Sequence, residues 1–196
     1  MKVGFFASHG GSNMQAVIDA IHAKRLDAVP ALLISNNRQS HAASRAEREG
    51  MPFQILNAST HPDPETLDGA MLDALQQHEV ELIVLAGFLK KIGPRVLEAY
   101  QGRILNIHPS LLPKFGGQGM FGSRVHQAVL DAGETTTGIS IHHVNGEYDD
   151  GRVIAQCEVA VMPDDTVETL AARVLLREHA FLVETLAKIT RGELTL

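Results

Sequence analysis

Residues Lys2–Asn13 read KVGFFASHGGSN, an apolar run followed by two glycines and the start of an amphipathic segment. A short unbroken apolar run is typical of a strand that is buried on both faces. The spacing of the apolar residues in Ser12–Lys24 predicts a helix. A strand that leads through a short loop into a helix is the repeating unit of parallel α/β sheets, and this alternation continues along the chain.

The same patterns predict the other elements of the chain. The predicted strands are Lys2–Ala7, Val29–Ser35, Pro52–Leu56, Glu81–Ala86, Arg103–Ile107, Gly138–Val144 and Val153–Met162. The predicted helices are Ser12–Lys24, His41–Glu49, Pro64–His78, Pro94–Tyr100, Ser123–Ala132 and Thr166–Thr190. The last two strands are joined by the polar, glycine-containing turn Asn145–Gly151, so we expect them to be antiparallel.

We therefore predict an α/β fold with a single domain over residues 1–196. The expected sheet is mostly parallel and doubly wound, with about seven strands, an antiparallel part near the C-terminus and helices on both faces. Ligands of such sheets bind beyond the carboxyl ends of the strands, where the strand order reverses. The loops to inspect are Ser8–Asn13, Gly87–Ile92, Asn106–Gly122 and Asn145–Gly151.

Composition excludes several classes of protein. The formal net charge of −6 argues against a nucleic-acid binder, because such affinity depends on clustered Lys and Arg. No apolar run reaches the roughly 18 residues of a membrane span, and the first run is too short for a signal peptide. The single cysteine, Cys157, permits no intrachain disulfide, as is usual in a reducing compartment. We expect a soluble, cytoplasmic protein.

The glycine loop, Gly10–Asn13, is a candidate anion site. Glycines let the backbone approach an anion closely, and the N-terminus of the helix that follows directs unpaired N–H groups toward it. The loop lacks the G-x-G-x-x-G spacing, and Asn36 and Asn37 stand where a ribose-binding acid would follow the second strand. A dinucleotide is therefore not expected. A single phosphate fits better, and a plain tight turn is the alternative.

Asn106 and His108 close the fifth predicted strand. Residues two apart on a strand project to the same side, so the amide and the imidazole are expected to lie together. An amide donor beside an imidazole can stabilise a developing oxyanion, and the imidazole can exchange a proton near neutral pH. A capped strand end with a solvated histidine is the alternative interpretation.

A second histidine is expected to join this pair. His142 and His143 are neighbours on a predicted strand and point to opposite faces, so only one of them can share a site with Asn106. Carboxylates follow in the turn, although each of them singly is common turn chemistry: Glu147, Asp149 and Asp150. The ten histidines show no H-x-x-x-H or H-E-x-x-H spacing, so no metal site is expected.

The run Ile104–Lys114, ILNIHPSLLPK, resembles the signature of the folate-dependent formyltransferases. The resemblance covers almost the whole chain and includes Gly10–Asn13, Val84–Phe88, Gly138–His142, Tyr148–Gly151 and Arg177–Ala180. It implies transfer of a formyl group from 10-formyltetrahydrofolate to the amine of N1-(5-phospho-D-ribosyl)glycinamide (GAR), in purine biosynthesis. It also implies that small molecules are the partners, that no metal takes part, and that the protein is a monomer or homodimer.

The resemblance also implies roles for individual residues. Asn106 and His108 would stabilise the tetrahedral oxyanion, while Asp149 would keep the imidazole charged. The GAR site would comprise Gly10, Gly11, Ser12, Asn13 and Glu178. The folate site would comprise Leu85, Leu89, Lys90, Lys91, Ile92, Leu97, Ile104, Asn106, Asn145, Gly146, Glu147, Tyr148 and Asp149.

The sequence departs from the common family pattern at four places. Residues 115–124 are longer and richer in glycine than usual, which predicts a lid of different shape. Pro64 replaces an arginine that contacts a ligand, Asp150 replaces a glycine, and Leu175 replaces a polar contact.

Three alternative functions remain. A methionyl-tRNA formyltransferase would need a nucleic-acid-binding domain and a basic surface, which the charge of −6 does not favour. A formyltetrahydrofolate hydrolase would carry an additional regulatory domain, which is not expected here. A catalytically silent ligand-binding module on the same fold is disfavoured because Asn106, His108 and Asp149 are all present.

Overall fold

The computed structural model describes all 196 residues. The strands are β1 Lys2–Phe6, β2 Val29–Ser35, β3 Phe53–Ile55, β4 Leu82–Leu85, β5 Ile104–His108, β6 Thr136–His143 and β7 Val153–Ala160. The helices are α1 Ser12–His22, α2 His41–Arg48, α3 Pro64–Gln77, α4 Pro94–Ala99, α5 Ser123–Asp131 and α6 Val167–Thr190. Every predicted element is confirmed, with ends that differ by two residues at most.

All seven strands belong to one sheet, in the order β3-β2-β1-β4-β5-β6-β7. The pairs from β3 to β5 are parallel, and the β5–β6 and β6–β7 pairs are antiparallel. The predicted fold class is therefore confirmed. The chain builds outward from β1 to β3 and then returns to β4 on the other side of β1, so the switch point lies between β1 and β4.

The sheet is buried on both faces because its strands are apolar at successive positions. Phe5 belongs to the larger core, which lies under α1, α2, α5 and α6. Phe6, the next residue, belongs to the smaller core under α3 and α4. Neighbouring residues of a strand point to opposite faces, so a continuous apolar run serves both cores. No helix of the structure combines the length and apolar character needed to cross a bilayer.

The loops after β1 and β4 are hydrogen-bonded to each other at the switch point. The Ser8 N–H donates to the Gly87 carbonyl at 3.1 Å, and the Ser8 hydroxyl accepts from the Leu89 N–H at 2.9 Å. Gly11 has a left-handed φ of 66°, and a Cβ there would lie 2.7 Å from Cβ of Ala42 in α2. Glycine is therefore needed both for the turn into α1 and for its close contact with α2.

Candidate active site

The register of β5 and β6 brings the predicted site residues together. Asn106 lies opposite His142, and His108 lies opposite Ser140, in the antiparallel pair. The intervening Ile107 points into the larger core on the other face. The shared face predicted for Asn106 and His108 is therefore confirmed, and His142 is the histidine that joins them.

The Asn106 amide is held by two partners. Its Nδ2 donates to Asp149 Oδ1 at 3.3 Å and lies 3.1 Å from His142 Nε2. His142 Nδ1 lies 2.8 Å from the His143 carbonyl, and a carbonyl can only accept, so Nδ1 carries a proton. In the neutral ring Nε2 is then an acceptor for Asn106. His142 thus orients the amide donor.

His108 is oriented in the same manner. Its Nε2 lies 2.8 Å from the Phe115 carbonyl, so Nε2 carries a proton and Nδ1 is the nitrogen that titrates. Nδ1 lies 3.4 Å from Asp149 Oδ2. Burial lowers the pKa of His108, while the Asp149 charge and the Phe115 carbonyl oppose that effect. If Nδ1 gains a proton during a reaction, the Asp149 carboxylate therefore stabilises the resulting positive charge.

Asp149 connects these side chains. Its Oδ2 also accepts from the Gly117 N–H at 2.9 Å, and His142 Nε2 lies 3.4 Å from Oδ1. Burial acts to raise the pKa of Asp149, but the Gly117 N–H and the hydrogen-bonding, protonated forms of His142 and His108 together bring it below its usual value. Asp149 is thus ionised at neutral pH. Asp150 is exposed and accepts only from the Asn145 amide, at 3.4 Å. We call Asn106, His108 and Asp149 the reaction centre.

The reaction centre borders a cavity of about 510 Å³, the first cavity. The glycine loop and Glu178 line the same cavity as Asn106 and His108. Asn13 Nδ2 donates to Glu178 Oε2 at 3.2 Å, which opposes the effect of burial, and burial still raises the pKa of Glu178 to about 7. Asn13 Oδ1 is buried without a partner. The structure thus brings together all five residues predicted for the GAR site.

The residues predicted for the folate site form two groups. Leu85, Ile92 and Ile104 are buried in the smaller core, and Leu97 packs against it. Most of the members that lie on the two flanking loops are exposed. The loops contact each other, since Lys91 Nζ lies 3.3 Å from Glu147 Oε2 and 5.2 Å from the centre of the Tyr148 ring. The exposed members are Leu89, Lys90, Lys91, Asn145, Gly146, Glu147 and Tyr148. The two loops therefore meet beside Asp149.

Three features of the site were missed from the sequence. The Phe115 carbonyl and the Gly117 N–H come from the segment without periodicity, and backbone groups give no sequence signal. His126 also lines the first cavity, on the buried face of an amphipathic helix, where a packed histidine and a ligand-binding one have the same sequence pattern. A second cavity of about 650 Å³ is lined by Pro64, Arg95 and the turn after β4.

The fold and the reaction centre define an α/β enzyme with a polar site beyond the carboxyl ends of its strands, at and beside the switch point. Comparison with protein families gives the particular family. The formyl transferase family matches residues 1–186, and the chain belongs to this family.

Individual proteins of this family are similar over most of the chain. The phosphoribosylglycinamide formyltransferase of Arabidopsis thaliana chloroplasts is 39% identical over 96% of the chain, which spans 65% of that relative. The matched part of the chain thus covers less than two thirds of the plant protein's length. The Haemophilus influenzae protein of the same name is 34% identical over the whole chain and 90% of the relative. The crystal structure of glycinamide ribonucleotide transformylase 1 from Symbiobacterium toebii aligns with a TM-score of 0.91 at 32% identity, over the whole chain and 90% of that structure.

Proposed function

We propose that this protein transfers the formyl group of 10-formyltetrahydrofolate to the amine of GAR, giving formyl-GAR and tetrahydrofolate in de novo purine biosynthesis. The observation that carries the proposal is the hydrogen-bonded reaction centre at the border of a cavity that is also walled by the glycine loop. The names of the relatives support the same substrates.

The first cavity suits the phosphoribosyl substrate. The phosphate binds the glycine loop, where the N-terminus of α1 supplies unpaired N–H groups and a favourable dipole. Glu178 accepts from the glycinamide end of GAR, and its pKa of about 7 lets it gain negative charge near neutral pH. The amine of GAR then reaches the reaction centre in the same cavity.

The reaction centre stabilises the intermediate of acyl transfer. The amine nitrogen forms a bond to the formyl carbon, and the carbonyl oxygen becomes an oxyanion that competes for the N–H donors of Asn106 and His108. The amine proton passes to N10 of the folate as the bond from the formyl carbon to N10 breaks, which restores the carbonyl. Asp149 stays ionised and stabilises the imidazolium form of His108 during this transfer.

The folate binds beside Asp149, between the turn Leu89–Ile92 and the loop Asn145–Asp149. The apolar floor is supplied by the smaller core, and the exposed loops supply backbone donors and acceptors for a flat pterin ring. The arginine missing at position 64 is offset by other cations, because Pro64 lines the second cavity together with Lys90, Lys91 and Arg95. These cations suit a carboxylate-bearing tail.

The proposal includes the setting of the enzyme. One Rossmann-like formyltransferase domain, residues 1–196, acts in the cytoplasm as a monomer or homodimer. It takes only small-molecule substrates and uses no metal. The formal net charge of −6 supports the absence of a nucleic-acid partner.

The decisive experiment mixes purified protein with 10-formyltetrahydrofolate and follows release of tetrahydrofolate with and without GAR. We expect release that depends on GAR and matches formyl-GAR mole for mole. Release without GAR, with formate as the product, would instead identify a hydrolase. An absence of any turnover, with both ligands still binding, would identify a silent binding module. A second assay with formyl-acceptor tRNA tests the remaining alternative.

A further inference from the structure

The N-terminal turn of α5 forms part of the first cavity. Gly122 and Ser123 line the cavity, and Gly122 makes no side-chain cap for the helix. The first N–H groups of a helix have no acceptor within the helix, so this turn presents donors where ligand oxygens could use them. A helix terminus alone does not define a site, and the side chain of His126 provides the second observation.

His126 is a buried polar residue in the wall of this cavity. Only 5% of its surface is exposed, and Nδ1 is buried without a hydrogen-bond partner. It lies between Val125 and Val129 on the buried face of α5, so its backbone position is fixed by packing. Buried polar groups are normally paired, yet neither ring nitrogen of His126 has a hydrogen-bond partner. Only Nδ1 is wholly buried, so Nε2 is the nitrogen that reaches the cavity.

The proton of His126 can be assigned to one nitrogen. A neutral imidazole has one N–H, and a buried N–H without an acceptor is rarer than a buried acceptor without a donor. The proton therefore lies on Nε2, and the lone pair lies on the buried Nδ1. Burial lowers the pKa of His126, and the nearby His108 adds to this effect, so the ring is neutral at physiological pH. His126 thus offers one N–H donor to the cavity.

We infer that His126 Nε2 donates a hydrogen bond to an oxygen of the ribosyl phosphate part of GAR, with the N-terminal turn of α5 as a further wall of that site. The cavity that His126 lines contains the glycine loop and Glu178, whereas of the residues assigned to the folate site it includes only Leu89 and Asn106. A ribosyl phosphate is rich in acceptor oxygens, which matches a wall of donors. The inference rests on the proposed function and adds a substrate-binding residue to it.

The test compares three variants by steady-state kinetics with each substrate varied in turn. His126→Leu removes the donor and keeps a similar volume, whereas His126→Gln keeps an N–H donor. Gln127→Leu is the matched control, because Gln127 is exposed on the same helix and donates only to Asp131, at 2.7 Å. Thermal unfolding of each variant reports whether the core of α5 is intact.

We expect His126→Leu to raise the KM for GAR about tenfold, the value of one hydrogen bond, with kcat and the KM for the folate within about twofold of the wild type. His126→Gln should recover most of the affinity, and the ratio of KM values should not change between pH 7.5 and 8.5, where the lowered pKa of His126 keeps the ring neutral. An unchanged KM for GAR, an equal rise for the folate, or a Gln variant as poor as the Leu variant would each overturn the inference. A wild type without GAR-dependent turnover would instead overturn the proposed function itself.

Discussion

The reaction centre borders the same cavity as the wall around the glycine loop, which we define as Gly10–Asn13, His126 and Glu178. The two regions differ in whether their polar groups have hydrogen-bond partners. In the reaction centre both oxygens of Asp149 face nitrogen donors, and the Asn106 amide nitrogen has two partners. In the wall, Asn13 Oδ1 is buried without a partner, and neither ring nitrogen of the buried His126 makes a hydrogen bond. A buried unpaired polar group destabilises a protein by about 1–3 kcal/mol. The first region is thus assembled before a ligand arrives, and the second is completed by one.

This difference predicts how variants of each region should behave. Groups that are held ready for a transition state affect kcat when they are removed, because the substrate ground state does not use them. Groups that wait for a bound substrate affect the KM of that substrate. Variants of the two regions should therefore separate into kcat and KM effects, although Asn106 and His108 line the same cavity as the wall.

The largest effect is expected for His108→Ala. It removes a donor to the oxyanion and the group that exchanges a proton, so kcat should fall by at least about 10²–10³-fold with little change in either KM. Steady-state kinetics with both substrates measures this. His143→Ala is the matched control, because His143 lies next to His142 but contacts Arg152 outside the reaction centre. Near-normal kcat in His108→Ala would refute the role.

A slightly smaller loss of kcat is expected for Asp149→Asn. The amide keeps the shape of the carboxylate but cannot stabilise the imidazolium, so kcat should fall about 10²-fold. Asp150→Asn changes the same charge one residue away, on an exposed side chain, and should leave kcat within a few-fold. If Asp150→Asn were the more damaging change, the reaction centre would have been assigned to the wrong aspartate.

More of the reaction centre than of the wall could be predicted from the sequence. Alternation on a strand is local, so it gave the shared face of Asn106 and His108, and family resemblance indicated Asp149 in place of Asp150. The Phe115 carbonyl that selects the His108 tautomer could not be foreseen. It belongs to a segment whose path depends on tertiary contacts, such as those of the Ser140 hydroxyl with the Leu112 N–H and the Ser110 carbonyl.

The fold was predictable because its patterns are strong, whereas the role of a single polar residue in a helix is not. Seven apolar runs and six amphipathic segments each repeat the same signal over several residues. His126 occupies one position among the buried residues of α5, where a packed histidine and a ligand-binding one have the same sequence pattern. Only the cavity and the lack of a partner at either ring nitrogen distinguish the two.

In the wall, Gly11→Val should raise the KM for GAR by about tenfold or more and leave the folate KM unchanged. A Cβ at position 11 would lie 2.7 Å from Ala42 Cβ, so the glycine loop must move away from α2 and its N–H groups lose their alignment. Gly50→Val is the control for backbone strain, since φ is 65° there and nothing lies near its Cβ position. Equal rises in both KM values would contradict a phosphate site in this loop.

The last prediction concerns Glu178, whose protonation links the wall to stability and not to turnover. Its pKa is about 7 in the folded protein, because of burial, and 4.5 in its ordinary state. Between these values the folded chain holds a proton that the unfolded chain has lost. The free energy of unfolding therefore falls as pH rises from about 4.5 to 7, by roughly 3 kcal/mol at most. Above pH 7 the contribution of Glu178 no longer changes with pH.

Glu178→Gln should remove this pH dependence while keeping an acceptor for the Asn13 amide. Urea unfolding of the wild type and the variant at pH 5, 6, 7 and 8 measures the free energy of unfolding of each. As pH rises, the wild type should lose stability relative to the variant. Glu184→Gln is the control on the same helix, because Arg177 lowers the pKa of Glu184 and its stabilising contribution does not decline over this range. Parallel pH curves for the wild type and Glu178→Gln would mean that Glu178 is already ionised in the free protein. The wall would then carry a charge before GAR binds, and the contrast between a completed reaction centre and an incomplete wall would rest on Asn13 and His126 alone.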